Sequence, residues 1–316
     1  MQDKNQEKFI ELRVNRDFGD IINVYFEFFK QNLKKFTNVF LSYNGIFLIG
    51  LLVVSYLLVS GVIGLIANNQ NTVLDAVGSG DETYWMYFIF GGILFFVIFI
   101  MVAVLNYSLS TSYMIKYEEH RGQDFDKADV WEKVKNNLGN IVIFILILIL
   151  LFFGLMIAAI VLTFIPLAGM LAQYVIQYFM MAWMGVSFFV MLKEKRGVTD
   201  ALGEGWNLVT KNFWRSVGVN FILGFLIGLL FMVVIMIPGI LIGIYTFHVV
   251  QNDVDLGASM VPTIIYTLGT CLLLIIAVYS QCLSQFVNGL LYFSLHEKTY
   301  NLNSRSKIDQ IGLQDQ

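Results

Sequence analysis

Two cysteines, three prolines and three histidines are all that 316 residues supply of those types, and only 14% of positions are charged. With 57% hydrophobic residues and a mean hydropathy of +0.70, that poverty of charge excludes a soluble globular chain, in which about 25% of residues are charged. Cys271 and Cys282 lie on one apolar run, about 16 Å apart along a helix, which is too far for a bond between them. We read them as packing residues. His248 falls on one side of the apolar pattern and His120 and His296 on the other, so the histidines build no shared metal site. A phosphate-binding glycine loop is missing, and no G-x-G-x-x-G opens a helix. Catalytic, cofactor-binding and metal-binding residues are therefore all expected to be absent.

What the chain has is apolar length. Runs at about 44 to 67, 84 to 115, 140 to 165, 168 to 193, 216 to 247 and 262 to 296 each exceed the roughly 20 residues that cross a hydrocarbon core. The first begins after a charged amphipathic segment and lacks a signal peptide's short apolar region and cleavage site, so it is expected to be an uncleaved span. All 20 Lys and Arg fall on one side of this six-span pattern. The other side carries Asp75, Asp81, Glu82, Asp253, Asp255 and His248. Basic loops stay cytoplasmic during insertion, which places both termini inside. The inner side balances its 20 cations with 18 acidic residues. So small an excess argues against nucleic acid as a partner. The clusters Lys34-Lys35 and Lys193 to Arg196 instead suit anionic lipid headgroups. Membrane lipids, with protein partners at the cytoplasmic face, are the expected company.

One unit recurs three times: an amphipathic inner-face helix, a span, an outer turn and a returning span. Its anchors are Asn32-Leu33, Asn137-Leu138 and Asn212-Phe213, each with an aromatic six residues earlier, at Phe26, Trp131 and Trp206. In the first, Phe18, Ile21, Ile22, Tyr25, Phe29 and Leu33 share one face; in the third, Leu202, Trp206, Val209 and Phe213 do; the shorter second has Val130, Trp131, Val134 and Leu138. Such helices lie in the headgroup plane or pack together as a cap. The fold class read from this is an all-α polytopic membrane protein. It is a single membrane domain over 1–316, with repeats at 17–121, 122–196 and 197–297 and a cytoplasmic tail at 298–316. Pro166 is expected to close a short hairpin between spans three and four, and Pro238 to kink span five. Around Lys307, Ile308 and Ile311 the tail has the composition of a docking peptide.

Ionisable residues inside a bilayer mark ion and substrate paths, and none sits mid-span. Neutral amides do. Gln281, Gln285 and Asn288 share a face of span six, Gln173 and Gln177 a face of span four, and Asn106 lies on span two. Those six residues are the candidate polar cavity, although such stripes more often fix a helix bundle through hydrogen bonds. Gly78-Ser79-Gly80-Asp81 matches the G-x-G-D string of intramembrane aspartyl proteases, but no span supplies a second Asp. Ser187 has no His nearby in sequence to activate it. Glu118, Glu119, His120, His296 and Glu297, directly after spans two and six, are the acid and base groups an enzyme acting on headgroups would need.

Asp17-Phe18-Gly19-Asp20-Ile21-Ile22, leading through Phe28-Phe29-Lys30-Gln31-Asn32-Leu33 into the first span, and Ile237-Pro238-Gly239-Ile240 in the fifth carry a family likeness. The chain resembles the bacterial glycerophosphodiester phosphodiesterase membrane-domain family, in its membrane part only, and related polytopic membrane proteins. The likeness covers nearly the whole chain. It implies a bacterial cytoplasmic-membrane protein; the soluble phosphodiesterase fused to some relatives is absent here, so the resemblance does not bring that activity. The functional expectation is a non-enzymatic scaffold or accessory subunit, with a transporter or lipid-handling protein built on the neutral stripe as the alternative.

Overall fold

The computed structural model describes residues 9–67, 82–165, 167–252, 260–302 and 305. Among the described residues the chain forms eight helices. These are α1 (Phe18–Ala67), α2 (Glu82–Glu119), α3 (Lys127–Lys135), α4 (Leu138–Thr163), α5 (Ala168–Glu194), α6 (Val198–Thr210), α7 (Phe213–Gln251) and α8 (Met260–Tyr300). Six of them, α1, α2, α4, α5, α7 and α8, are long and apolar enough to cross a membrane. The fold is thus all-α and that of a polytopic membrane protein. Much of the apolar surface faces outward: Leu150, Phe152, Ile157, Ile237 and Leu241 on α4 and α7 are all exposed, as lipid-facing side chains are.

The helices close into two compact units. The first comprises the described residues within Met1–Val39, Tyr107–Ile227 and Cys282–Gln316; the second, those within Phe40–Asn106 and Gly228–Gln281. Every described Lys and Arg belongs to the first unit and none to the second, so the division by packing coincides with the division by charge.

Small residues set how closely the helices approach. In the first unit a Cβ on Gly185 of α5 would lie 2.1 Å from the Asn288 side chain of α8, and one on Gly205 of α6 would lie 2.0 Å from Ser187 Oγ of α5. Such contacts let backbones meet where lipid offers no hydrophobic drive for association. An aromatic cluster fills the same unit: Phe36 meets Tyr113 and Phe286 edge-on at 5.3 and 4.7 Å, and Phe28 meets Phe286 at 5.5 Å. In the second unit a Cβ on Gly61 would come within 3.0 Å of Phe88, which holds α1 close to α2 there. Cys271 and Cys282 are free and buried.

Two expectations need correction. The first amphipathic helix and the first span are one helix, α1, because nothing between Asn32 and Phe40 breaks the backbone pattern. In the other two cases a break does intervene, at Asn136–Asn137 and at Lys211–Asn212. The protein-facing stripes are also rotated by about one residue. On α1 the buried face is Ile21, Tyr25, Phe28, Asn32 and Phe36, while Leu33 is exposed; on α6 it is Val198, Ala201, Gly205, Leu208 and Val209, the last as expected, while Trp206 is exposed. In a bilayer the lipid face is apolar too, so apolarity alone does not say which face meets protein.

Helix α7 continues unbroken through Pro238. Pro166, the sequence from Gly78 to Asp81, Asp75, Asp253, Asp255 and the tail around Lys307, Ile308 and Ile311 lie outside the described residues. The connection between α4 and α5 is as short as expected, and Gly169 permits it: a Cβ there would sit 2.0 Å from the Leu162 carbonyl oxygen.

Candidate functional site: an acid–base cleft at the basic helix ends

Three spans end in mixed charge, at Glu118-Glu119-His120, Lys193-Glu194-Lys195-Arg196 and His296-Glu297-Lys298. The first unit gathers these ends. Beyond Glu194 the chain turns through Lys195, whose φ of 55° lies in the left-handed region, and α6 then begins at Val198. That turn sets Lys193 and Arg196 on either side of Glu194. Together with the segment that precedes α1 they build an open cleft of about 410 Å³ lined by Arg13, Lys193, Glu194, Arg196, Tyr292, His296, Tyr300 and Leu302.

Its charges are wired to one another. Lys193 Nζ lies 2.6 Å from Glu118 and 3.2 Å from Glu119, Arg13 Nε lies 3.4 Å from Glu118, and Lys133 on α3 lies 3.4 Å from Glu119. Arg196 reaches Glu194 through Nε at 2.8 Å and Glu204 of α6 through Nη1 at 3.5 Å. The network thus sets four cations against four carboxylates. Burial pulls the Lys133 ammonium below its ordinary value, which Glu119 opposes. Around Glu194 the contacts are densest: Tyr292 donates its hydroxyl to Oε1 at 3.1 Å, and His296 Nε2 lies 3.3 Å from the same oxygen. Tyr300 donates to Glu204 at 2.5 Å.

Two features leave this network incomplete. His296 is 8% exposed, and its Nδ1 is buried without a hydrogen-bond partner among the described residues. Of the lining charges three are cationic and one, Glu194, is anionic; Glu118, Glu119 and Glu204 do not line the cleft. Among the described residues Lys193 meets two carboxylates and Arg196 engages Nε and Nη1, so one ammonium hydrogen and the Nη2 group retain donor capacity.

The six amides of the expected polar cavity do not line this cleft. In the second unit Asn106 donates to the Val278 carbonyl at 2.9 Å and to Gln281 Oε1 at 3.2 Å. In the first, Gln285 donates to Thr111 Oγ1 at 2.8 Å and Asn288 donates to Gln285 Oε1 at 3.3 Å. Gln173 is half-buried and Gln177 exposed on α5. Of the acid and base groups named from sequence, the network takes Glu118, Glu119 and His296. Glu297 is buried nearby on α8, whereas His120 rests against Phe125 with ring centroids 6.2 Å apart. Arg13, Glu194, Glu204, Tyr292 and Tyr300 were not singled out; the legible signal was the repeated mixed-charge ending of the spans.

No family model, no curated protein and no solved structure matches this chain. Among the described residues no group of three or more His, Cys, Asp or Glu side chains is placed to hold a metal ion.

Proposed function

We propose that the chain is a non-enzymatic six-span protein of the bacterial cytoplasmic membrane, with both termini cytoplasmic, that holds an anionic phospholipid headgroup in the acid–base cleft. The observation that carries this is the cleft's lining, three cations to one carboxylate, with donors left over on Lys193 and Arg196. A guanidinium fork and an ammonium are the side chains that recognise phosphate oxygens. Amides bonded within helix packing favour bundle fixing over a translocation path.

The orientation rests on the basic bias, since basic loops remain inside. The threefold layout has support at its anchors. Asn32, Asn137 and Asn212 each donate to the carbonyl four residues back, at 3.0, 2.8 and 3.1 Å. Asn32 then accepts from Tyr113 and Asn212 from Lys298, partners 81 and 86 residues downstream. The resemblance to the glycerophosphodiester phosphodiesterase membrane-domain family belongs to the same proposal.

Native mass spectrometry of protein extracted in mild detergent tests the reading. Phosphatidylglycerol is expected to be retained in preference to phosphatidylcholine, and Arg196→Gln, which alters a side chain 40% exposed, to weaken that preference about tenfold, the value of one charge-assisted contact. Equal retention of both lipids by the unaltered protein would refute it.

A further inference from the structure

The headgroup cleft contains an imidazole that its own protein leaves half-used. His296 sits on α8 between Tyr292 and Tyr300, with ring centroids 5.5 and 4.8 Å away, and is more than nine-tenths buried. One nitrogen, Nε2, is held by Glu194; the other, Nδ1, has no partner among the described residues. The charged groups facing it are Lys193, Glu194 and Arg196 from the end of α5, Arg13 from the segment before α1, and, one contact further back, Glu118 of α2 and Glu204 of α6. Three cations already balance three carboxylates in that set. A bound phosphodiester adds one negative charge to a neutral cluster.

We propose that the cleft takes its phosphodiester together with a proton, which His296 carries on Nδ1 and donates to a phosphate oxygen. This rests on the headgroup reading above. With Nε2–H aimed at Glu194, the neutral ring has only a lone pair at Nδ1, and a phosphate oxygen there is repelled. Protonation turns Nδ1 into a donor and restores neutrality to the loaded cluster. Because binding takes up a proton, it strengthens as pH falls and weakens as pH rises. The bond made is a hydrogen bond, the proton comes from solvent, and no covalent bond changes.

The full-length protein in phosphatidylcholine nanodiscs, titrated with phosphatidylglycerol vesicles or with the deacylated headgroup glycerophosphoglycerol, tests this. Both probes are diesters and do not titrate in the window used. Calorimetry in two buffers of different ionisation enthalpy reads proton uptake on the unaltered protein, so the test does not depend on any variant folding. The expectation is affinity about tenfold higher at about pH 5 than at about pH 8, within the usual range of coupling between two ligands, with proton uptake that peaks at about half a proton per bound phosphate between those limits. His296→Gln, which keeps a donor without a titrating proton, is expected to bind with a flat pH profile. Uptake with glycerophosphoglycerol supports a site for the soluble ester, and uptake from vesicles alone supports a lipid site; both support the coupling. Phosphatidylglycerol binding without proton uptake would overturn this inference and leave the headgroup reading standing. No binding of either probe at any pH would overturn both.

Discussion

Single residues decide the approach of helices here, and glycine does so where a side chain must pass. At Gly185 any Cβ would meet Asn288 Nδ2 at 2.1 Å and Cγ at 2.2 Å, and Asn288 cannot retreat without giving up Gln285. Gly185→Ala is therefore expected to lower stability by about 1–3 kcal/mol, the cost of overpacking. Gly228→Ala, where a Cβ meets nothing within 4 Å, is expected to be neutral or mildly stabilising, since Ala favours helix over Gly. Thermal unfolding of both variants in one detergent checks the contrast, and equal midpoints would contradict it. Such a site was half-legible in sequence. The amide of Asn288 stood out on an apolar helix, whereas its partner glycine, one of 26, did not.

At the scale of elements, α3 shows how a short polar helix is fixed beside long apolar ones. Asp126 accepts from the backbone of Ala128 at 2.7 Å and of Asp129 at 3.1 Å, and Asp129 returns the bond to the backbone of Asp126 at 2.8 Å, forming a capping box. Those backbone bonds hold the Asp126 carboxyl below its ordinary value. Because the folded value is depressed, the stabilisation is present above the unfolded value and is lost as pH falls through the folded one. Hydrogen exchange across Lys127–Lys135 is therefore expected to quicken in Asp126→Ala at neutral pH and, in the unaltered protein, only on acidification. Asp126→Asn, an equally good cap without a charge, should remove the acid dependence. Unchanged protection in Asp126→Ala would show that packing of Val130 and Val134, not the cap, holds the helix.

All six spans were legible as elements because about 20 apolar residues in a row have few other uses. The faces were not. Of the aromatics six residues before each anchor asparagine, Phe26 and Trp206 are exposed and Trp131 is half-buried. Amphipathic aromatics suit a boundary between lipid and water as well as a protein core. Nor did the sequence reveal that α1 is continuous, since a charged stretch followed by an apolar one reads equally as two helices or as one passing out of the bilayer.

At the scale of the whole molecule, the unit that holds every described Lys and Arg also holds the cleft. Its ion pairs come from segments as far apart in sequence as Arg13, Glu118, Lys193 and His296, a convergence no local pattern discloses. The stretch from Lys193 to Arg196 could be read as basic and near a membrane; that Glu194 would gather His296, Tyr292 and Arg196 around it could not. The central claim is that this convergence receives an anionic headgroup. A photoactivatable phosphatidylglycerol, crosslinked in native membranes and mapped by peptide mass spectrometry, addresses it most directly. The account predicts adducts concentrated on the peptides containing Lys193 to Arg196 and Tyr292 to Leu302, and their loss in the double variant Arg13→Gln/Arg196→Gln. Adducts spread along the outward face of α4, unchanged in that variant, would contradict it.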